Sequence, residues 1–303
     1  MSVTPRGMSI QEAYREFRDG AFRVNRKYQR KLVWTLEEKR KLIDSVLHGY
    51  PIPLILLAAR SLPTGTKEFE ILDGMQRLHA LFAFIENRFA ADGKYFDVQQ
   101  LARAKQLADQ GLLAAQQDTL NLLSARECAN FLDYTLAVTE FPAVNEDAVN
   151  DVFGRINAYG RQLSRQEQRQ AGVVTSFAKV VRQLAAEIRG DVSTDTLNLA
   201  DIPQISINVD GEQPDYGIRA DDTFWCKHGI LRRNQLRESE DEQIIADLAI
   251  SIVEEKPFAF SGDELDKIYD PHEDVHSELN TQLSTYGVDA FKTRHSYNHF
   301  NST

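Results

Sequence analysis

The chain has 303 residues, of which 42% are hydrophobic and 26% are charged, and its formal net charge is −10. This composition is typical of a globular protein with one large or two modest domains, and the acidic total argues against a protein that coats polyanions. The two cysteines, Cys128 and Cys226, offer neither a disulfide framework nor a zinc-ligand spacing, so we expect a cytoplasmic protein. The longest apolar run, residues 52–59, contains Pro53 and is too short to span a bilayer, so no membrane association is expected.

The charge is distributed unevenly along the chain. Residues 23–48 contain eight basic and three acidic residues, and residues 155–189 contain seven basic and two acidic residues. Residues 238–289 contain fifteen acidic residues and two lysines. The two basic segments either form one anion-binding face or are solvated faces of separate helices.

The N-terminal third carries the start and stop signals of alternating helices and strands. Ser9 and Thr35 are typical N-caps, and Gly49 followed by Pro51 is a typical helix end. Together with the apolar periodicity, these residues predict a helix over 9–19, an extended segment over 22–30, a helix over 35–48, and strands over 52–59 and 67–72.

The motif Asp73-Gly74-Met75-Gln76-Arg77 directly follows the second predicted strand. Apolar residues then recur at helical spacing, at Leu78, Leu81, Phe82, Ile85 and Phe89. The motif therefore predicts a strand–turn–helix corner, which directs backbone N–H groups and the positive end of a helix dipole at an anion, most often a phosphate. Gly74 permits a close backbone approach, Arg77 offers a bidentate fork, and Asp73 can bind a cation or orient a water.

The chain beyond the corner is predicted to be mainly helical. Residues 90–127 indicate helical or loose surface structure without chemistry, one strand is predicted over 134–141, and residues 190–220 have the composition of a loop. Further helices are predicted to begin at Asn145, at Thr175 and at two capping boxes, 164–167 and 239–242.

The last of these helices is predicted to turn Ile244, Ile245, Leu248 and Ile252 inward. The whole pattern predicts an α+β fold with a small mixed α/β domain over residues 1–142. A mainly helical domain with an acidic C-terminal tail is predicted over residues 143–303.

The order of several motifs resembles the GmrSD-type family, which is described as domain of unknown function 262 and has a ParB/sulfiredoxin-like core. The resemblance covers about residues 20–255. The matching segments are 28–30 with Trp34, 42–45, 49–53, 73–78, 152–157, Gly160, 163–167, 230–231 and 238–252. The usual corner motif of the family is Asp-Gly-Gln-Gln-Arg, and Met75 stands here in place of the first glutamine.

The resemblance implies binding, and also hydrolysis, of a nucleoside triphosphate (ATP or GTP) with Mg²⁺ at the corner. It implies catalytic roles for Asp73, Gln76 and Arg77, with Asp73 also as the metal ligand and Gly74 in the nucleotide-binding turn. A second group of nucleotide-binding residues is implied: Arg30 as a second phosphate clamp, Tyr28 or Trp34 as a base stacker, and Arg155 and Asn157 closing the site.

Structural roles are open for the same residues. Tyr28 and Trp34 are also suited to core packing, Arg155 to an ion pair and Asn157 to a helix-ending turn. Asp73 is suited to bonding the backbone of its own turn.

The resemblance further implies an anti-phage or restriction role with DNA as a partner, including modified phage DNA. No self-contained nuclease is expected, because His295 and His299 share a possible metal-ligand spacing but no supporting elements follow them. A nuclease would then be a partner protein, and a homo-oligomer is a further expectation. Two alternatives stay open: a non-catalytic DNA- or partner-binding module, and a ParB-like nucleotide-gated regulator. Sulfiredoxin chemistry is not expected, because Met75 occupies the position of the required cysteine.

Overall fold

The computed structural model describes most of the chain. The described residues are 3–25, 32–63, 65–111, 121–143, 148–149, 152–153, 164–170, 175–190, 196–201, 205–206, 218–254, 256–258, 262–270, 279–281 and 283–284. The chain divides into two compact units: unit 1 comprises residues 1–149 and 194–217, and unit 2 comprises residues 150–193 and 218–303. The domain boundary at residue 142 stays a prediction.

Unit 1 is an α+β unit, as predicted. Its described strands are β1 (Thr4–Ser9), β2 (Phe22–Asn25), β3 (Ile55–Ser61), β4 (Lys67–Asp73), β5 (Thr135–Pro142), β6 (Thr196–Asn198) and β7 (Ile205–Ser206). Its described α-helices are α1 (Ile10–Arg18), α2 (Leu36–Leu47), α3 (Met75–Ile85), α4 (Ala102–Asp109) and α5 (Ala125–Asp133). Short 3₁₀ turns lie at Val98–Gln100 and Leu199–Asp201.

Six of these strands form a mixed sheet in the order β1-β5-β3-β4-β2-β6. The pairs β1–β5, β3–β4 and β2–β6 are antiparallel, whereas β5–β3 and β4–β2 are parallel. The strand β6 lies within residues 190–220, so the prediction of loop throughout that segment is wrong. A three-residue strand is too short for a periodic sequence signal, and the exposed edge of β2 provides its pairing partner.

The N-caps predicted at Ser9 and Thr35 are confirmed, whereas the one predicted at Asn145 lies outside the described residues. The Ser9 hydroxyl accepts from the Glu12 N–H at the start of α1, and Thr35 forms a reciprocal capping box with Glu38 at the start of α2. Each cap satisfies N–H groups that have no acceptor within the helix, which is why the helix starts could be read from sequence.

The core of unit 1 is centred on α3. This helix is buried on nearly all sides, from Leu78 to Ile85, and it packs against α2. Residues 90–127 also reach the core, because Phe96, Val98 and Leu123 are buried in the same hydrophobic cluster. The helical alternative predicted for this segment is confirmed at α4, whereas the surface location is wrong, since isolated apolar residues between turns have no period that predicts burial.

Unit 2 is mainly helical in its described residues. Its elements are α6 (Arg165–Gln170), α7 (Ser176–Arg189), β8 (Ile218–Arg219), α8 (Phe224–Lys227), α9 (Arg233–Arg237), α10 (Glu240–Val253) and α11 (Gly262–Tyr269), with a 3₁₀ turn at Ala220–Asp222. The first predicted capping box is confirmed, because the Ser164 N–H donates to Glu167 at 2.9 Å and the Glu167 N–H donates to the Ser164 hydroxyl at 3.2 Å. In the described parts of both units, no helix is both long and apolar enough to cross a membrane.

The second predicted capping box is wrong. Ser239 has a left-handed backbone with φ of 64° and makes no side-chain cap, while Glu242 is buried beside Arg189.

The predicted inward face of α10 is also largely wrong, because Leu248 and Ile252 are exposed. The buried apolar residues of α10 are Ile245, Ala246, Ala249 and Ile250. The small alanines permit close packing against α7. Which face of α10 is buried therefore depends on the neighbouring helix and not on hydrophobicity alone.

Candidate functional site at the β4–α3 corner

A β-bulge controls which way Asp73 points. Leu56 of β3 pairs with Asp73, but the next residue, Leu57, pairs with Ile71, so β4 holds one extra residue. Strict alternation would place Asp73 on the buried face with Phe69 and Ile71, whereas the bulge reverses the alternation. The carboxylate of Asp73 therefore emerges with 47% of its side chain exposed.

Gly74 forms the turn between β4 and α3. Its φ is +99°, a left-handed conformation, and a Cβ added there would lie 2.4 Å from Ile55 Cδ1. As N-cap of α3, Gly74 provides no side-chain acceptor. The first-turn N–H groups of α3 therefore rely on something other than a capping side chain, and an anion can supply that acceptor.

The corner brings Asp73 and Arg77 together in one hydrogen-bonded pair. Asp73 Oδ1 accepts from the Gly74 N–H at 2.7 Å, as expected for an aspartate that bonds its own turn. Arg77 Nη2 donates to Asp73 Oδ2 at 2.7 Å and to the Leu54 carbonyl at 3.0 Å. Arg77 is thus tied to Leu54, the residue directly before β3, as well as to its own motif.

The guanidinium of Arg77 retains unused hydrogen-bonding capacity. Its side chain is 14% exposed, and its Nε is buried without a hydrogen-bond partner among the residues that the structure describes. A buried donor that lacks an acceptor costs free energy, and a ligand oxygen would relieve that cost. The corner therefore fits an oxyanion on structural grounds.

Gln76 connects the corner to the segment that precedes α2. Its Oε1 accepts from the N–H groups of Val33 and Trp34, at 3.2 Å and 3.3 Å. The indole of Trp34 is half-buried against the core cluster. The catalytic role of Gln76 and the role of Trp34 in stacking on a base stay predictions.

Met75 lies on the core side of α3. It is buried within the same cluster as Leu78 and Phe82. The departure from the usual family motif therefore falls on a position that packs in the core.

Four of the expected nucleotide-binding residues lie outside the described residues: Tyr28, Arg30, Arg155 and Asn157. Within the described part, the structure brings together Asp73, Gly74, Gln76 and Arg77, as the motif predicts. The sequence reasoning overlooked Lys39 of α2, which is buried on the face that packs against α3. The sequence does contain a signal for the burial of Lys39, because position 39 lies one turn before Leu42 and Ile43 on the apolar stripe of α2.

Three described arginines of the second basic segment, Arg165, Arg169 and Arg189, form ion pairs within unit 2. Arg165 pairs with Asp263 and Asp266, and Arg169 also pairs with Asp266. Arg189 at the end of α7 pairs with residues at the start of α10, Asp241 and Glu242. The acidic segment therefore engages these three arginines internally, which counts against their forming an open anion-binding face.

Asp73 fits the mode in which Mg²⁺ usually binds with nucleotides. The described residues contain no group of three or more His, Cys, Asp or Glu side chains that could hold a metal. Mg²⁺ in nucleotide sites commonly takes only one or two carboxylates, with waters and phosphates as its other ligands. The half-exposed carboxylate of Asp73 meets that requirement, since each oxygen accepts one hydrogen bond and keeps a lone pair.

A family profile described as GmrSD restriction endonuclease, N-terminal domain, matches residues 10–174. The match covers more than half of the chain and includes α1 to α6 and the whole corner. No curated protein and no solved structure matches the chain. The chain therefore belongs to the GmrSD restriction endonuclease N-terminal domain family.

Proposed function

We propose that the β4–α3 corner of this chain, whose family membership indicates a module of a restriction system, binds the phosphates of a nucleoside triphosphate and supports their hydrolysis. The observation that carries the proposal is the buried Nε of Arg77, which lacks an acceptor among the described residues and lies beside a helix start that Gly74 leaves without a side-chain cap.

Each residue of the corner contributes differently to phosphate binding. The first-turn N–H groups of α3 and the helix dipole attract negative charge, and Arg77 adds a charge-assisted donor. The turn at Gly74 keeps the backbone free of a Cβ at this point. Asp73 holds Arg77 in place through Oδ2 and keeps lone pairs for a cation or a water.

Mg²⁺, when bound, would neutralise phosphate charge, which is the main requirement of phosphoryl transfer. Asp73 is the residue that would hold it. DNA as the effector, a partner nuclease and a homo-oligomer stay predictions that follow from the family resemblance.

The test is a comparison of two arginine substitutions by calorimetry, with non-hydrolysable ATP and GTP analogues and MgCl₂. Arg77→Ala should weaken binding about 10- to 100-fold, as expected for loss of a hydrogen bond to a charged group. Arg103→Ala is the matched control, because Arg103 also pairs with an aspartate of unit 1, Asp19, at 3.7 Å but lies on the exposed surface of α4. Its binding should equal that of the wild type.

Hydrolysis is measured separately as phosphate release from ATP and GTP, with and without DNA. Asp73→Asn keeps an oxygen for the Gly74 N–H but loses the charge that would hold Mg²⁺, so phosphate release should fall. A wild-type protein that binds neither nucleotide, or an Arg77→Ala variant that binds as well as Arg103→Ala, would refute the proposal.

A further inference from the structure

Lys39 is a buried lysine in the middle of an apolar helix face. It lies on α2 with Leu42, Ile43 and Val46, which are the other buried residues of that helix, and it is 7% exposed. Lysine is almost never buried to this degree unless its ammonium is paired.

The ammonium of Lys39 has no such pair in the part of the chain that the structure describes. Within the described residues, its side chain makes no hydrogen bond or ion pair, in contrast to Lys41, which pairs with Glu37 at 2.6 Å. Burial alone lowers the pKa of Lys39 to about 8. An uncompensated buried charge destabilises the fold, so its presence in a core-facing position suggests a role other than packing.

The chain places Lys39 next to the corner. The Lys39 N–H donates to the Thr35 carbonyl, which puts Lys39 one turn into α2. Directly before that turn, Val33 and Trp34 are held by Gln76 in the first turn of α3. The segment directly before α2 is therefore joined to the first turn of α3, and Lys39 lies about one turn after this junction.

Lys39 lies within electrostatic range of His79 on α3. His79 lies one turn after Gln76, and its pKa is lowered to about 3 by burial and by the charges of Lys39 and Arg88. His79 is therefore neutral at physiological pH and does not compensate the lysine. The electrostatic effect of Lys39 on His79 puts its ammonium near α3, about one helical turn after the start of that helix.

We propose that Lys39 is a phosphate ligand of the corner, and that the polyphosphate of a bound nucleotide supplies the counter-charge that the ammonium lacks in the unliganded protein. This inference rests on the proposed nucleotide site and adds a cation from α2 to the one that Arg77 contributes from α3. The buried lysine then makes the unliganded state less stable, and nucleotide binding removes that destabilisation.

The direct test is NMR of ¹⁵N-labelled lysine ammonium groups, titrated with and without an Mg²⁺-bound non-hydrolysable triphosphate. The Lys39 resonance is assigned from its loss in Lys39→Met or Lys39→Gln. In the unliganded protein Lys39 should titrate near 8, and the nucleotide should raise its pKa by at least about one unit toward the ordinary lysine value. The pKa of Lys41 should stay unchanged.

The second test compares Lys39→Met with Lys41→Met, a control on the exposed side of the same helix. Lys39→Met should raise the melting temperature of the unliganded protein, since an apolar side chain replaces an unpaired buried charge. It should also weaken nucleotide binding about tenfold or more. A lysine with a purely structural role would not combine a gain in stability with a loss of binding.

The outcomes separate this inference from the proposed function. If the nucleotide leaves the pKa of Lys39 unchanged while Arg77→Ala abolishes binding, Lys39 is not a ligand and the nucleotide site stands. If the wild type binds no nucleotide, both proposals are overturned. If Lys39→Met fails to fold, the titration of the wild-type protein still shows whether the nucleotide changes the pKa of Lys39.

Discussion

Gln76 holds two backbone N–H groups that belong to a segment more than forty residues earlier in the chain. Replacing Gln76 with alanine removes the acceptor for both Val33 and Trp34. The substitution should therefore loosen the junction between the starts of α2 and α3, while leaving the turn at Gly74 and the Asp73–Arg77 pair intact.

The size of the effect follows from the two hydrogen bonds. Each is worth about 0.5–1.5 kcal/mol when both partners are neutral. Their lengths of 3.2 Å and 3.3 Å are at the long end of the normal range, and water can reach partly buried donors. The free energy of unfolding of Gln76→Ala should therefore fall by about 1–2 kcal/mol.

Urea unfolding of protein labelled with 5-fluorotryptophan measures this loss locally. The chain contains two tryptophans, Trp34 and Trp225, so ¹⁹F NMR should give one resonance from each unit. Gln76→Ala should shift the Trp34 resonance and its unfolding midpoint and leave Trp225 unchanged. Gln106→Ala, on the exposed surface of α4, should change stability by less than about 0.5 kcal/mol.

Gln76→Glu provides the matched replacement. A glutamate keeps an oxygen acceptor at the same reach, and its charge is favourable near the start of α3. Its stability should equal or exceed that of the wild type. If Gln76→Glu were as unstable as Gln76→Ala, or if Gln76→Ala had wild-type stability, the role of Gln76 in joining the two helices would be wrong.

Two further predictions concern stability, each with its own control. Gly74→Ala should destabilise unit 1 by about 2–5 kcal/mol in urea unfolding, because left-handed backbone strain adds to overpacking against Ile55. Gly93→Ala is the control and should lose only the strain energy, about 1–2 kcal/mol, because its added Cβ would meet nothing within 4 Å. Equal losses of stability in the two variants would contradict the clash with Ile55. Arg189→Ala should destabilise unit 2 by about 3–5 kcal/mol, because it leaves the buried Asp241 and Glu242 without their cation. The exposed Arg165→Ala should cost less than about 1 kcal/mol, and a similar loss for both arginines would refute the burial argument.

Much of unit 1 was predictable because its signals are local. The caps at Ser9 and Thr35 and the turn at Gly74 act over three or four residues, which is the distance over which a helix start satisfies its own N–H groups. The corner itself could be located for the same reason. The α+β class followed from the mixture of helical and alternating periodicities.

The incorrect predictions in unit 2 have a common physical cause. The inward face of α10 and the state of Glu242 depend on α7, which lies about fifty residues away in sequence. A helix whose apolar residues surround most of its circumference does not specify by itself which of them a neighbour will cover. The second basic segment and the acidic segment were likewise recognised from sequence. Their pairing through Arg165 and Asp266 could be seen only in the folded structure.

The sequence by itself determined that Asp73, Gly74, Gln76 and Arg77 form a strand–turn–helix corner, because backbone conformation and first-turn capping are short-range properties. Only the tertiary structure decided the direction of the Asp73 side chain, since the bulge at β4 arises from pairing with β3. The tertiary structure also decided that Gln76 joins α3 to the start of α2 and that Lys39 is buried beside that junction. These outcomes depend on contacts between segments distant in sequence, and no local pattern of residue types specifies such contacts.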